Sequence, residues 1–281
     1  MRSKHVLLAA LVALSTALQA EPSVKVSDSG PRPVKNSKGQ MIVFHDVTLD
    51  TGKVKFMLRM GNGAIGVRRP SAADFYQSGA FYIGAAGQRY FKAGKLMTQE
   101  EYKAPFETKV EQAEGSATLV ATQKKGDVTV EVRLKAAAGA DHLEMTVAVT
   151  GQKPKDAMAI RFITYPSAFV RKGGHKFAVL SSGETEENIA GKAGAKAKTS
   201  PSDHWVYLRD KTLDAKKQAG LGISWNPAEI KSWNTGLGSY ASKPLFMFSG
   251  PKTTFKLWEF VGATPDEALA RMKQIPAPPK N

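Results

Sequence analysis

The sequence contains no cysteine. That absence excludes a disulfide framework, a thiolate metal site, a cysteine nucleophile and a lipid-bearing cysteine behind a leader. Long apolar runs are scarce as well. The single uncharged stretch, Val6–Leu18, is too short to span a bilayer and follows the basic residues Arg2, Lys4 and His5. Residues 1–20 therefore read as a signal peptide, with Ala20 at the cleavage point and Ala17 as the competing choice. Only five histidines occur, and none falls into an HExxH or His-x-His spacing, so no metal site is expected. The glycines of "GNGAIGVRRP" (61–70) lack the Gly-Lys-Ser/Thr ending of a phosphate loop, and Asn62-Gly63 reads as a hairpin turn. No cofactor is implied.

Positive charge is in excess. Forty Lys and Arg stand against 25 Asp and Glu, and loss of the leader takes the formal charge from +15 to +13. A secreted or periplasmic chain of that charge meets anionic polysaccharide or envelope rather than nucleic acid, although charge serves solubility equally well.

Residues 21–40 are polar and rich in Pro, Ser and Gly, and read as a flexible arm. Beyond Met41 the hydrophobic period becomes two. In "DVTVEVRL", Val128, Val130, Val132 and Leu134 face one way. In "HLEMTVAV", Leu143, Met145, Val147 and Val149 do the same, so each strand buries one face. Further strands are expected at 41–49, 80–84, 106–112, 116–123, 158–165, 176–181, 204–209, 219–225, 244–249 and 253–260. One helix is expected. Thr264-Pro265-Asp266-Glu267 forms a capping box, Ala268, Leu269, Met272 and Ile275 make a stripe, and Pro276 ends it. The reading is an all-β, antiparallel two-sheet sandwich over 41–275 with a short closing helix and a tail at 276–281.

That order of long meandering strands, a loop-rich middle and a closing helix resembles the galactose-mutarotase-like supersandwich of carbohydrate-active proteins. The resemblance is one of fold over 41–275 and implies a sugar ligand by analogy; it transfers no catalytic residue. Separately, Tyr90–Gly94 ("YFKAG") is similar to a signature of alginate-lyase jelly rolls. Leu96 stands where that family has its second tyrosine, Gln99 falls one position late, and the other motifs have no counterpart, so the match is read as coincidence.

Two tripeptides Ser-Trp-Asn, at 224–226 and 232–234, hold two of the four tryptophans. Aromatic faces suit the C–H faces of sugars, and amides suit their hydroxyls. Trp225 alternates with Leu221 and Ile223 and is expected in the core. Trp233 and Asn234 precede the glycine-rich "TGLGSY" and are expected on an exposed, ligand-binding loop. In "DHWVYLRD", Trp205, Tyr207 and Arg209 share a strand face that suits a charged sugar. His204 and His45 read as core histidines, and His142 as the base of a hairpin. His175, in the Gly-hinged loop "RKGGHKF" shortly before Glu184, Glu186 and Glu187, is a candidate proton carrier. "GKAGAKAKTSPS" (191–202) reads as flexible.

These features point to an exported β-sandwich that binds or processes polysaccharide or oligosaccharide, favouring anionic glycans. One alternative is a lyase acting by β-elimination on uronate chains. Arg68, Arg69 or Arg209 would neutralise the carboxylate and Tyr90, Tyr207 or His175 would move protons. The other alternative is a non-catalytic envelope structural protein.

Overall fold

The computed structural model describes residues 23–35, 39, 41–61, 64–68, 81–84, 88–92, 95–96, 106–125, 128–151, 157–164, 175–189, 195–211, 220–238, 242–260 and 262–279. The expected leader at 1–20 lies outside them. The period-two segments become strands of two antiparallel sheets that pack face to face.

The nine-stranded sheet runs, edge to edge, Thr185–Ile189, His175–Leu180, Trp205–Asp210, Leu221–Trp225, Lys252–Glu259, His142–Thr150, Val128–Ala137, Ser116–Lys125 and Glu107–Ala113. The twelve-stranded sheet begins at Lys25–Lys35, passes through Met41–Asp50, Lys55–Gly61, Ala64–Arg68 and Phe81–Gly84, and continues through Ile163–Thr164 to Ser242–Phe248. Ile230–Leu237 joins it by pairing with Ser242–Phe248. Alternation places Leu134, Met145, Ile223, Phe255 and Leu257 of one sheet against Phe56, Leu58, Phe162 and Phe246 of the other in one buried core.

Two segments expected to be loose are ordered. Lys25–Lys35 is a strand, paired with Met41–Asp50 from Lys25↔Asp50 to Lys35↔Met41. Its polar composition suits an edge, where Pro31 and Pro33 cost no shared ladder bond, and a register shift between Asp28 and Pro31 absorbs Gly30. In the basic stretch 191–202, Ala195–Lys196 pairs with Leu237 and Gly236, and Ala197 is buried. Composition concealed both because edge strands carry little hydrophobic alternation.

The helix forms where its cap predicts, at Pro265–Lys273. The Thr264 side chain accepts from the Glu267 amide, and the Glu267 carboxylate accepts from the Thr264 amide in return. The helix lies on the outer face of the nine-stranded sheet. There Ala268 and Met272 cluster with Val179, Trp205, Tyr207 and Phe260. Gly222 makes the approach possible, since a Cβ there would sit 2.5 Å from the Met272 sulfur.

The repeated tripeptide crosses between the sheets. Trp225 ends a strand of the nine-stranded sheet, Asn226 caps a 3-10 turn at Pro227–Glu229, and Trp233 follows on the Ile230–Leu237 strand of the other sheet. The two indoles meet in the core at 4.8 Å between ring centroids, and Trp233 stacks on Phe246 at 5.6 Å.

Two stability outcomes follow from this packing. Trp225→Ala and Trp233→Ala should each cost about 3–5 kcal/mol in denaturant unfolding. The double variant should cost less than the sum, because the rings touch. Gly220 has φ +102°, and a Cβ there would meet the Leu208 carbonyl oxygen at 2.6 Å. Gly220→Ala should therefore lose at least about 1–3 kcal/mol, and an unchanged midpoint would contradict this packing.

Candidate functional site

The structure buries most of the aromatic side chains that the sequence offers to a ligand. Trp233 is 6% exposed, on a strand rather than a loop; its indole N–H donates to the Ser200 carbonyl at 3.2 Å. Trp205 is 4% exposed and Tyr207 1%. Their strand is covered on both faces, by the inter-sheet core and by the helix, which a single alternating pattern does not reveal. The Tyr207 hydroxyl donates to the Pro265 carbonyl at 3.4 Å, and burial pushes its pKa well above the usual phenol value. A phenol so enclosed is no proton carrier for a bound polymer. Arg209 is half-buried on the same face, and Ser232 and Asn234 of the second tripeptide are exposed on either side of the buried Trp233.

The histidines also find partners. His175 opens a strand instead of riding a loop. Its Nε2 lies 2.7 Å from Glu187, and its backbone N–H donates to Asp210. Lys211 reaches the other Glu187 oxygen at 2.5 Å, and Lys211 and then His175 hold the Glu187 carboxyl below its ordinary pKa. The sequence places Glu184, Glu186 and Glu187 shortly after His175 without pairing any of them; the strand geometry selects Glu187 as its cross-strand partner. Beneath it Lys176 and Asp210 form a pair 2.7 Å apart, both fully buried. His45 is half-buried rather than core, held between Asp28 at 2.5 Å and Thr108 at 3.1 Å. Arg68 lies on the Ala64–Arg68 strand and Tyr90 on the Gln88–Lys92 strand. Arg69 is outside the described residues. Among the described residues, no group of three or more His, Asp or Glu side chains could hold a metal ion. No helix among them is long and apolar enough to cross a membrane.

A different surface has the composition of a ligand site. A groove of about 560 Å³ runs over the outer face of the nine-stranded sheet, beside the end of the helix. Ser224, Thr254, Lys256 and Trp258 form its floor, alternating with the core-facing Ile223, Phe255 and Leu257. Arg271, Gln274, Ile275, Pro276 and Pro278 wall one side, and Asn226 stands at its end. The size suits a small ligand or a few sugar rings.

The groove is held rigidly. Trp258 donates its indole N–H to the Ser224 hydroxyl at 2.9 Å and lies against the His142 ring at 4.4 Å between centroids. Asn226 accepts from the Ala228 amide, leaving its side-chain N–H groups to face outward. His204 lies half-buried behind the wall, with its Nε2 3.3 Å from the Ile275 carbonyl. With its Nε2 protonated this ring donates to that carbonyl and ties the wall to the sheet. Arg271 donates to Asp141 at 3.2 Å, and Lys53 reaches the same carboxylate at 3.0 Å. Nothing in the residues around Trp258 distinguishes it from Trp225, since both alternate ordinarily along a strand. Its value comes from the helix end that frames it.

Asp141 is the electrostatic anchor of this side. The His142 imidazole 3.6 Å away comes first in lowering its pKa, and Lys53 adds to it against the opposing effect of burial, leaving a value of about 2.

No protein-family model matches the chain, and no curated protein matches it in sequence. Among solved structures the chain is similar to a protein assigned as an aldose 1-epimerase from Klebsiella pneumoniae, with a TM-score of 0.45 and 10% identity over 90% of this chain and 94% of that one. It is similar to a TPR-domain containing protein from Parabacteroides distasonis, with a TM-score of 0.49 and 8% identity over 85% of this chain and 55% of the other. It is also similar to the galactosidase domain of an alpha-galactosidase–sucrose kinase, with a TM-score of 0.45, 9% identity and coverage of 82% and 42%. The chain thus spans about half or less of the latter two. Two of the three are carbohydrate-related by name. At these scores the likeness carries no functional argument, which rests on the groove.

The Asp141 shift has a sign that can be checked. A carboxyl whose folded pKa is about 2, below the ordinary 3.8, contributes stability that is full above pH 4 and is lost as pH falls toward 2. Asp141→Asn should flatten that acid limb in thermal melts taken between pH 5 and pH 2. An unchanged slope would remove Asp141 as the anchor.

Proposed function

We propose that this protein is an exported, secreted or periplasmic carbohydrate-binding β-sandwich protein that favours anionic glycans, and that the groove beside the helix is its binding surface. One observation carries the reading. The half-buried indole of Trp258 shares a groove with two amides, two hydroxyls and two cations, and no carboxylate is among its described lining residues. Sugars present flat C–H faces and a rim of hydroxyls, which match an aromatic platform ringed by directional donors and acceptors. The formal charge of +13 after loss of the leader adds long-range attraction for a polyanion.

The test is retention on a panel of neutral and anionic glycans, with absorbance of unsaturated products followed in the same samples. Trp258→Ala should abolish most retention in protein shown to be folded, at a lowered melting temperature from the lost packing and Ser224 hydrogen bond. Binding of anionic glycans should fall steeply as salt rises from low to physiological strength. Exported protein should begin at Glu21 by mass. A wild-type chain that retains no glycan would sink the reading, and appearance of unsaturated product would replace it with the lyase.

A further inference from the structure

The two cations of the groove are not equivalent. Arg271 is committed, its guanidinium donating to Asp141. Lys256 is exposed on the floor, and among the described residues no carboxylate lies within ion-pair distance of it. Its register neighbours are Ser224 on one side and Glu144 on the other. Lys256 and Trp258 are two positions apart on one strand and so stand on the same face, about 7 Å apart along the chain.

Resting on the carbohydrate reading above, we propose that Lys256 is the specificity-determining residue of the groove and that its ligand class is a uronate-bearing oligosaccharide. A pyranose ring stacked on the Trp258 indole projects its ring substituent along the strand direction. Lys256, two residues from Trp258 on the same face of the strand, is the cation such a ring carboxylate would meet. The Ser224 hydroxyl is spent on the Trp258 indole as acceptor and still has its own O–H to donate. Thr254, on the same face at the next position, offers a hydroxyl for the neighbouring ring. Glu144 sits across from Lys256 and opposes a bound carboxylate. The ligand therefore needs a carboxylate that reaches Lys256 from the Trp258 side. A neutral sugar gains the stack but not the charge-assisted contact, which is the stronger interaction in a partly shielded groove.

The experiment compares an oligogalacturonate with its fully methyl-esterified form, which keeps the chain and removes the charge, by calorimetric titration of the full chain at fixed ionic strength. Lys256→Gln should weaken binding of the acid form about tenfold, the scale of one hydrogen bond to a charged group, and leave the ester unchanged. Lys243→Gln, an exposed lysine on the other sheet with the same change in net charge, should alter the acid form by less than about twofold. Glu144→Gln should strengthen the acid form. Equal losses in Lys256→Gln and Lys243→Gln would overturn the assignment in favour of diffuse charge. Equal wild-type affinity for acid and ester would also overturn it while leaving carbohydrate binding intact. If neither oligosaccharide binds but a neutral glucan does, the ligand class falls and the groove stands. If no glycan binds at all, the proposed function fails together with this inference.

Discussion

The contact on which the rest of this protein depends is the aromatic junction between its sheets. Trp225 reaches in from one sheet and Trp233 from the other, with Phe246 4.8 Å from the first ring and stacked on the second. Phe255 and Phe162 extend the cluster edge to face. Such pairs add about 0.5–1.5 kcal/mol each beyond their burial. In a chain without a disulfide this junction fixes the separation and relative rotation of two large sheets. The seven residues between the two indoles are thereby constrained to one path, through the Asn226 cap and the turn. Glu229 in that turn accepts from the Thr254 amide at 2.7 Å, tying the crossing to the floor of the groove.

The second layer of organisation is the helix. A short helix has little stability alone, so its reciprocal cap and buried face matter. Its apolar side turns the Trp205–Asp210 strand from half-buried to wholly buried, and its end walls one side of the groove over the neighbouring strands. The groove is therefore a by-product of how the chain closes. Its floor is as rigid as the sandwich, while its wall hangs on the helix, His204 and the Arg271–Asp141 contact.

Strand existence and type were legible because one face of each strand is apolar, and the helix because its cap is spelled in four consecutive residues. Edge strands such as Lys25–Lys35 were not legible, since an edge that must resist further pairing avoids the alternation that signals a strand. The site was legible only in part. Asn226 belongs to the first Ser-Trp-Asn tripeptide and borders the groove. Trp233 was misplaced because the glycine-rich stretch after it resembles a loop, yet Gly236 simply lies in a strand. Trp205 and Tyr207 were misplaced because nothing local announces that a helix sixty residues later will cover them. Trp258 was overlooked for the converse reason. Burial of a strand face is a property of what lies over it.

The wall built from Gln274, Ile275, Pro276 and Pro278 has an evolutionary side. These residues contribute little to the inter-sheet core and follow the last turn of the only helix described. Changes in their length or identity would alter the width and chemistry of the groove without disturbing either sheet. The fold thus separates a conserved-by-necessity platform from an inexpensive rim, and a lineage of such chains could diversify its ligands by editing a few residues near one terminus.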